Sequence, residues 1–249
     1  MNSLESSILE NYERIQERVR KAAESSGRST GEISTVVVSK SQPVEVILAA
    51  YSIGIRIFGE NYPQEAEQKI KRLTGLEGIS WHMIGHLQSR KSALIAYNFQ
   101  MIHSIDSLDH AQKLDTALKN ENKSMPALLE LNVGGEESKF GWKAETQADW
   151  EKLLPEISLV LQLPNLVVNG LMTMPPLTDR PELSRPYFRC LCQARDFLNR
   201  QIPNHPFSML SMGTSADFEV AIQEGATMVR IGQAILGPRP HQTDSEGEK

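Results

Sequence analysis

Lys40 closes the apolar run Thr35-Val36-Val37-Val38-Ser39 and is followed closely by Pro43. The run is rich in β-branched residues and is bounded by Gly31 and Pro43, which predicts a short buried strand. Charged residues are rare in such a strand, so a lysine at its carboxyl end calls for a reason. An amine in partly desolvated surroundings has a lowered pKa and becomes a nucleophile toward an aldehyde, the requirement for a Schiff-base lysine. The alternative is a strand-end lysine that merely reaches solvent. A second candidate stands near the other end of the chain. Ser211-Met212-Gly213-Thr214-Ser215 is small and hydroxyl-rich, and it precedes a predicted helix over 216–224. Backbone amides at a helix start, together with serine and threonine hydroxyls, bind phosphate. An ordinary N-cap by Thr214 or Ser215 is the alternative there.

The elements that must position these residues read as a repeat. Residues 3–25 carry Leu4, Ile8, Leu9, Tyr12, Ile15 and Val19 at helical spacing with a charged opposite face. After this helix, short apolar runs end at Ser39, Gly59, Gly85, Ile105, Asn132, Met172, Ser211 and Gly232. Amphipathic stretches separate most of them, for example 44–53, 64–73, 107–118, 150–161 and 185–198. Such alternation implies parallel strands joined by right-handed crossovers. Eight strands close a (β/α)₈ barrel at about this length. The rival doubly wound sheet lacks its marker, because no Gly-x-Gly-x-x-Gly follows the first strand and no Gly-Lys-Ser/Thr occurs. The expected fold is therefore α/β, a single (β/α)₈ TIM-type barrel over residues 1–239 with an extra N-terminal helix. The polar tail at 240–249 reads as disordered, and no second domain is expected.

In a barrel, function gathers at the carboxyl ends of the strands. Those ends hold Lys40, Glu60-Asn61, Gly85-His86, His103 to Asp106, Asn132, Met172 to Met174, Ser211 to Ser215, and Arg230-Ile231-Gly232. The last two strands are where barrels frequently bind phosphate. Sharing one rim with an aldehyde-reactive lysine, the Ser211–Ser215 segment is read as a phosphate cradle, and the pair points to pyridoxal 5′-phosphate. Arg230 would then face the cofactor's ring nitrogen, keep it unprotonated and weaken the ring as an electron sink. Its alternative is a structural ion pair.

The strings Val38-Ser39-Lys40-Ser41-Gln42-Pro43, Phe58-Gly59-Glu60-Asn61-Tyr62-Pro63-Gln64-Glu65 and Trp81-His82-Met83-Ile84-Gly85-His86-Leu87-Gln88 resemble the pyridoxal phosphate homeostasis protein family. So do Ser138-Lys139-Phe140-Gly141, Gly170-Leu171-Met172-Thr173-Met174, Leu210-Ser211-Met212-Gly213-Thr214-Ser215 and Val229-Arg230-Ile231-Gly232, in the same order. The resemblance implies a barrel similar to the N-terminal domain of alanine racemase, a fold-type III arrangement with the cofactor held as an internal aldimine. It implies Lys40 as the aldimine lysine, Asn61 beside the cofactor, and Ser211, Ser215 and the Gly232 amide on the phosphate. Arg230 would lie near the ring. Met172 and Met174, from their place at a strand end, are read as lining the pocket, and Met172 and Gly213 complete the expected cofactor-binding set. Lys139 matches a second family lysine, in a loop. Thr214 stands where the family often has Met, and Arg90 where it often has Asn.

Other residues carry weaker signals. His82 and His86 are spaced for a metal only on a helix, and here core packing and a rim position are expected. His103 and Asp106 could pair as acid and base, but Asp106 reads better as a helix cap before Leu108. Cys190 and Cys192 are too few for a disulfide framework and read as buried thiols in a reducing compartment. A net charge of −5 leaves no footprint for nucleic acid or an anionic membrane, and no apolar stretch suits a signal or a span. A cytoplasmic monomer is expected. Two functions remain open: a non-catalytic carrier that stores, buffers or delivers pyridoxal phosphate to recipient apo-enzymes, and a weak racemase-like enzyme. Alanine racemase needs a second domain to close its site, so the carrier is preferred.

Overall fold

Asn2 opens the first helix, α1 (Ser3–Ser25), with a capping box: its side chain accepts from the Glu5 amide while Glu5 reaches back to the Asn2 amide. Ile8, Ile15, Val19, Ala22 and Ala23 form its buried stripe, which packs on the outside of the barrel. The computed structural model describes residues 2–239, so the tail read as disordered lies outside the described residues.

Nine strands follow among the described residues: β1 (Ser34–Val38), β2 (Ile57–Glu60), β3 (Ser80–Met83), β4 (Met101–Ile105), β5 (Met125–Asn132), β6 (Trp142–Lys143), β7 (Leu166–Met172), β8 (Met209–Thr214) and β9 (Met228–Ile231). The helices between and after them are α2 (Val44–Ser52), α3 (Pro63–Arg72), α4 (Ser92–Asn98), α5 (Leu108–Asn120), α6 (Gln147–Val160), α7 (Arg185–Gln201), α8 (Phe218–Gln223) and α9 (Gln233–Leu236). Eight strands pair in parallel in the order β1-β2-β3-β4-β5-β7-β8-β9, and β9 returns to β1 with Val36 opposite Arg230. The barrel is thus closed, as the strand count predicts. β6 stands outside it and pairs only with β5, Leu131 opposite Trp142. Two residues give no periodicity to read, which is why this strand has no signal in the sequence.

The main core lies between strands and helices and takes Val37, Phe58, Met83, Ile102, Leu129, Leu171 and Leu210. A separate apolar cluster of Met101, Leu128, Met172 and Met228, with Met209 against it, plugs the barrel. The remaining interior is polar: His82, His103, Ser211 and Arg230 are all buried. Three expectations need correction. Ser211 is not in the rim loop, because the Ser-Met-Gly-Thr segment continues the ladder of β8 as far as Thr214 and α8 starts only at Phe218. Asp106 does not cap α5; the Ser107 hydroxyl does, accepting from the His110 amide. Cys190 and Cys192 are half-buried, with Cys192 Sγ donating to the Glu224 carbonyl. Among the described residues no helix is long and apolar enough to cross a membrane.

Candidate functional site

A cavity of about 1030 Å³ opens at the carboxyl ends of the strands. Its wall includes Lys40, Asn61, Ser215, Arg230 and Gly232, five of the residues expected there. Met172, Ser211 and Gly213 stand behind that wall. Met172 belongs to the barrel plug, and Ser211 is fully buried. Gly213 (φ +91°) lets β8 approach α8, since a β-carbon would come within 2.6 Å of the Ala221 Cβ.

Lys40 stands two residues past β1, in a turn whose next residue, Ser41, has the left-handed φ of 58°. A non-glycine residue in that region needs surrounding contacts to hold it. They come from α3. The Ser41 amide donates to Glu65 Oε1 at 2.6 Å, and Lys69 Nζ donates to the Ser39 carbonyl at 2.7 Å. Lys69 also pairs with Glu60 Oε1 at 2.7 Å and Glu65 Oε1 at 2.6 Å, while the Ser39 hydroxyl donates to the same Glu60 oxygen. Glu60 is fully buried, and burial pushes its carboxyl upward against the pull of Lys69. This cluster fixes the backbone on both sides of Lys40. The Lys40 ammonium itself makes no hydrogen bond or ion pair among the described residues. Burial, and then the Arg239 guanidinium, lower its pKa.

Gly85 brings β3 and β2 together at the rim. A β-carbon there would overlap the backbone of Asn61, so only glycine leaves Asn61 its place in the wall. Arg230 is buried on β9. Its guanidinium donates to Ser211 Oγ at 2.5 Å and to the Thr173 carbonyl at 2.9 Å, and stands 2.9 Å from Met174 Sδ. Burial pushes it down to about 10, which leaves it charged at neutral pH. The alternative read for it, a structural ion pair, is not formed among the described residues.

The wall also holds residues outside the expected cofactor-binding set. Glu130 lies near the end of β5, buried, and its carboxyl is pushed up to about 7, first by burial and then by the Asp106 carboxylate. Its signal is present in the sequence: a charge inside Leu128-Leu129-Glu130-Leu131, the same anomaly that marks Lys40. His86 takes the rim position expected of it, with its ring stacked 3.5 Å from Phe140. His86 Nδ1 is 3.0 Å from Asp106 Oδ2, at ion-pair distance but out of line for a hydrogen bond. Asp106 Oδ1 takes His110 Nδ1 at 2.5 Å. Lys139 lines the cavity too, tied to the Pro175 carbonyl at 2.7 Å and to Glu136 at 2.5 Å. Arg239 and Gln233 complete the side near Gly232.

The alanine racemase N-terminal domain family matches residues 8–240. A pyridoxal phosphate homeostasis protein of Aquifex aeolicus is 41% identical over 232 residues, which cover 93% of this chain and 98% of the relative. The chain belongs to the pyridoxal phosphate homeostasis protein family. The Escherichia coli member is 36% identical over 94% of this chain and 97% of its own. A solved structure of PipY from Synechococcus elongatus, described as having pyridoxal phosphate bound, superposes with a TM-score of 0.76 at 32% identity, over 88% of this chain and 100% of that one. Alanine racemase of Clostridium difficile shares the fold alone, at 16% identity and a TM-score of 0.68 over 58% of its chain.

Proposed function

We propose that this chain binds pyridoxal 5′-phosphate and serves its homeostasis, storing, buffering or delivering the cofactor without turning over a substrate of its own. The observation that carries the reading is Lys40: a half-buried amine, without an ion pair among the described residues, in the wall of a rim cavity that also presents Arg230, Ser215 and Gly232. This donor set fits the cofactor's three functional parts: an aldehyde, a ring nitrogen and a phosphate. When bound, the cofactor supplies an aldehyde that condenses with a primary amine, forming C=N and releasing the carbonyl oxygen as water.

Lys40 contributes the nucleophile. Its desolvation shifts the amine toward the neutral form that carries a lone pair. The Ser215 hydroxyl and the backbone around Gly232 would hold phosphate, and Asn61 would flank the cofactor. Arg230 has five N–H donors and no acceptor, so a ring nitrogen facing it stays unprotonated. The ring is then a weak electron sink, which favours holding over catalysis. Ser211 serves this site from behind, by accepting from Arg230. The same proposal takes residues 1–239 as one domain, acting as a cytoplasmic monomer that supplies apo-enzymes.

Purified protein loaded with pyridoxal phosphate should show a long-wave absorption band and retain the label after borohydride reduction. Lys40→Ala should abolish both while unfolding at the same denaturant concentration. An unchanged band would refute the assignment, and a partial one would move it to Lys139. Interconversion of D- and L-alanine by the loaded protein would overturn the carrier reading.

A further inference from the structure

A line of hydrogen bonds crosses the barrel interior beneath the cavity. It begins at Ser80, at the start of β3, whose hydroxyl is 3.0 Å from His82 Nε2. His82 Nδ1 is 3.0 Å from His103 Nε2 on β4. His103 Nδ1 is 2.9 Å from Ser211 Oγ on β8, and Ser211 Oγ receives Arg230 Nη1. His103 and Ser211 are fully buried, and His82 nearly so.

One polarity of the line gives every buried proton in it an acceptor. Arg230 can only donate, so it occupies a lone pair of Ser211. With Nδ1 of His103 as acceptor, the Ser211 proton has a partner; with Nδ1 protonated, Ser211 would accept twice and its own buried proton would have none in the line. His103 therefore carries its proton on Nε2 and donates to His82 Nδ1. His82 in turn carries its proton on Nε2 and donates to Ser80. A second proton on His82 would face the His103 Nε2 proton, and one on His103 would turn the Ser211 proton away from its partner. Burial opposes that proton, lowering His82 to about 4 and His103 well below its ordinary value, with Arg230 adding to the effect on His103.

We infer that His82 and His103 are positioning residues for Arg230, acting through Ser211. They aim the serine proton away from the guanidinium, so that Ser211 offers Arg230 an acceptor and fixes where the cation meets the ring nitrogen. This rests on the reading of Arg230 as the ring-facing group, yet part of it is testable without the cofactor.

Nitrogen-15 NMR of the ligand-free chain at pH 7 should show both imidazoles neutral and protonated at Nε2. A proton on His103 Nδ1 would overturn the relay whatever the protein binds. In the loaded protein, His103→Leu removes the acceptor for Ser211, whereas His103→Asn keeps an amide oxygen near the Nδ1 position. The leucine variant should shift the absorption band and release pyridoxal phosphate about tenfold more readily, the scale of one hydrogen bond to a charged group. The asparagine variant should restore both even if its melting temperature falls as far. Band and retention unchanged in His103→Leu, or equal loss in two folded variants, would overturn the inference. Failure of the unaltered chain to retain pyridoxal phosphate would instead strike the functional reading and leave the tautomers to be judged alone.

Discussion

Lys69→Met should lower the unfolding free energy by about 3–5 kcal/mol, the range for removing one partner of a buried ion pair. Lys69 is 5% exposed and Glu60 is fully buried, so solvent cannot replace the lost cation. One Glu60 oxygen would keep only the Ser39 hydroxyl, and the other, Oε2, has no partner among the described residues even now. Denaturant titration of parent and variant measures the loss, and a change below about 1 kcal/mol would show that the cluster is not a buried pair in solution. The double variant Lys69→Met with Glu60→Gln should recover part of it, because it removes the unpaired charge at the fully buried Glu60, while the more exposed Glu65 keeps the Ser41 amide. A second effect follows from position. Lys69 holds the Ser39 carbonyl, one residue before Lys40. The single variant, assayed where it is still folded, should therefore trap less pyridoxal phosphate on borohydride reduction, although it leaves Lys40 itself intact.

This cluster shows where a sequence reading stops. Lys40 was legible because a charge at the end of a β-branched strand is anomalous by itself. Lys69 was not, because lysine in an amphipathic helix such as Gln64-Glu65-Ala66-Glu67-Gln68-Lys69 is ordinary; only the packing of α3 against the first two strand ends buries it. The barrel was legible because eight apolar runs alternate with helices, and that pattern survives errors of a residue or two at each boundary. One such error decided the role of Ser211. Ending the strand there placed its hydroxyl on the rim, whereas three further ladder residues turn it into the interior, where it meets His103 and Arg230. Ser215, four residues on, stayed on the cavity wall. Asp106 was read from its neighbour Leu108 alone, but its partners His86 and His110 come from a different strand end and from the next helix turn. Local spacing locates strand ends; it does not say which side chains the closed barrel brings together.

Glu130 offers the second large effect, and it is one of pH. Its carboxyl is raised from 4.5 to about 7, chiefly by burial, with Asp106 adding to the rise and Arg230 opposing it. The folded chain thus keeps a proton that the unfolded chain surrenders earlier. The stability this contributes is complete below about 4.5 and is lost as pH climbs through 7, a difference of about 3 kcal/mol by linkage. Glu130→Gln has no such proton to lose. Denaturant titrations at pH 5 and pH 8 should therefore show the parent losing up to about 3 kcal/mol more than the variant over that interval. Other groups titrate in both proteins, so the comparison isolates this carboxyl. Parallel profiles would mean that Glu130 is ionised throughout, paired with Arg230 more closely than the fold suggests. A slope confined to the parent would mean that, near neutrality, the cavity wall facing Arg230 changes charge by one proton, so that the grip on pyridoxal phosphate proposed for this cavity would depend on pH.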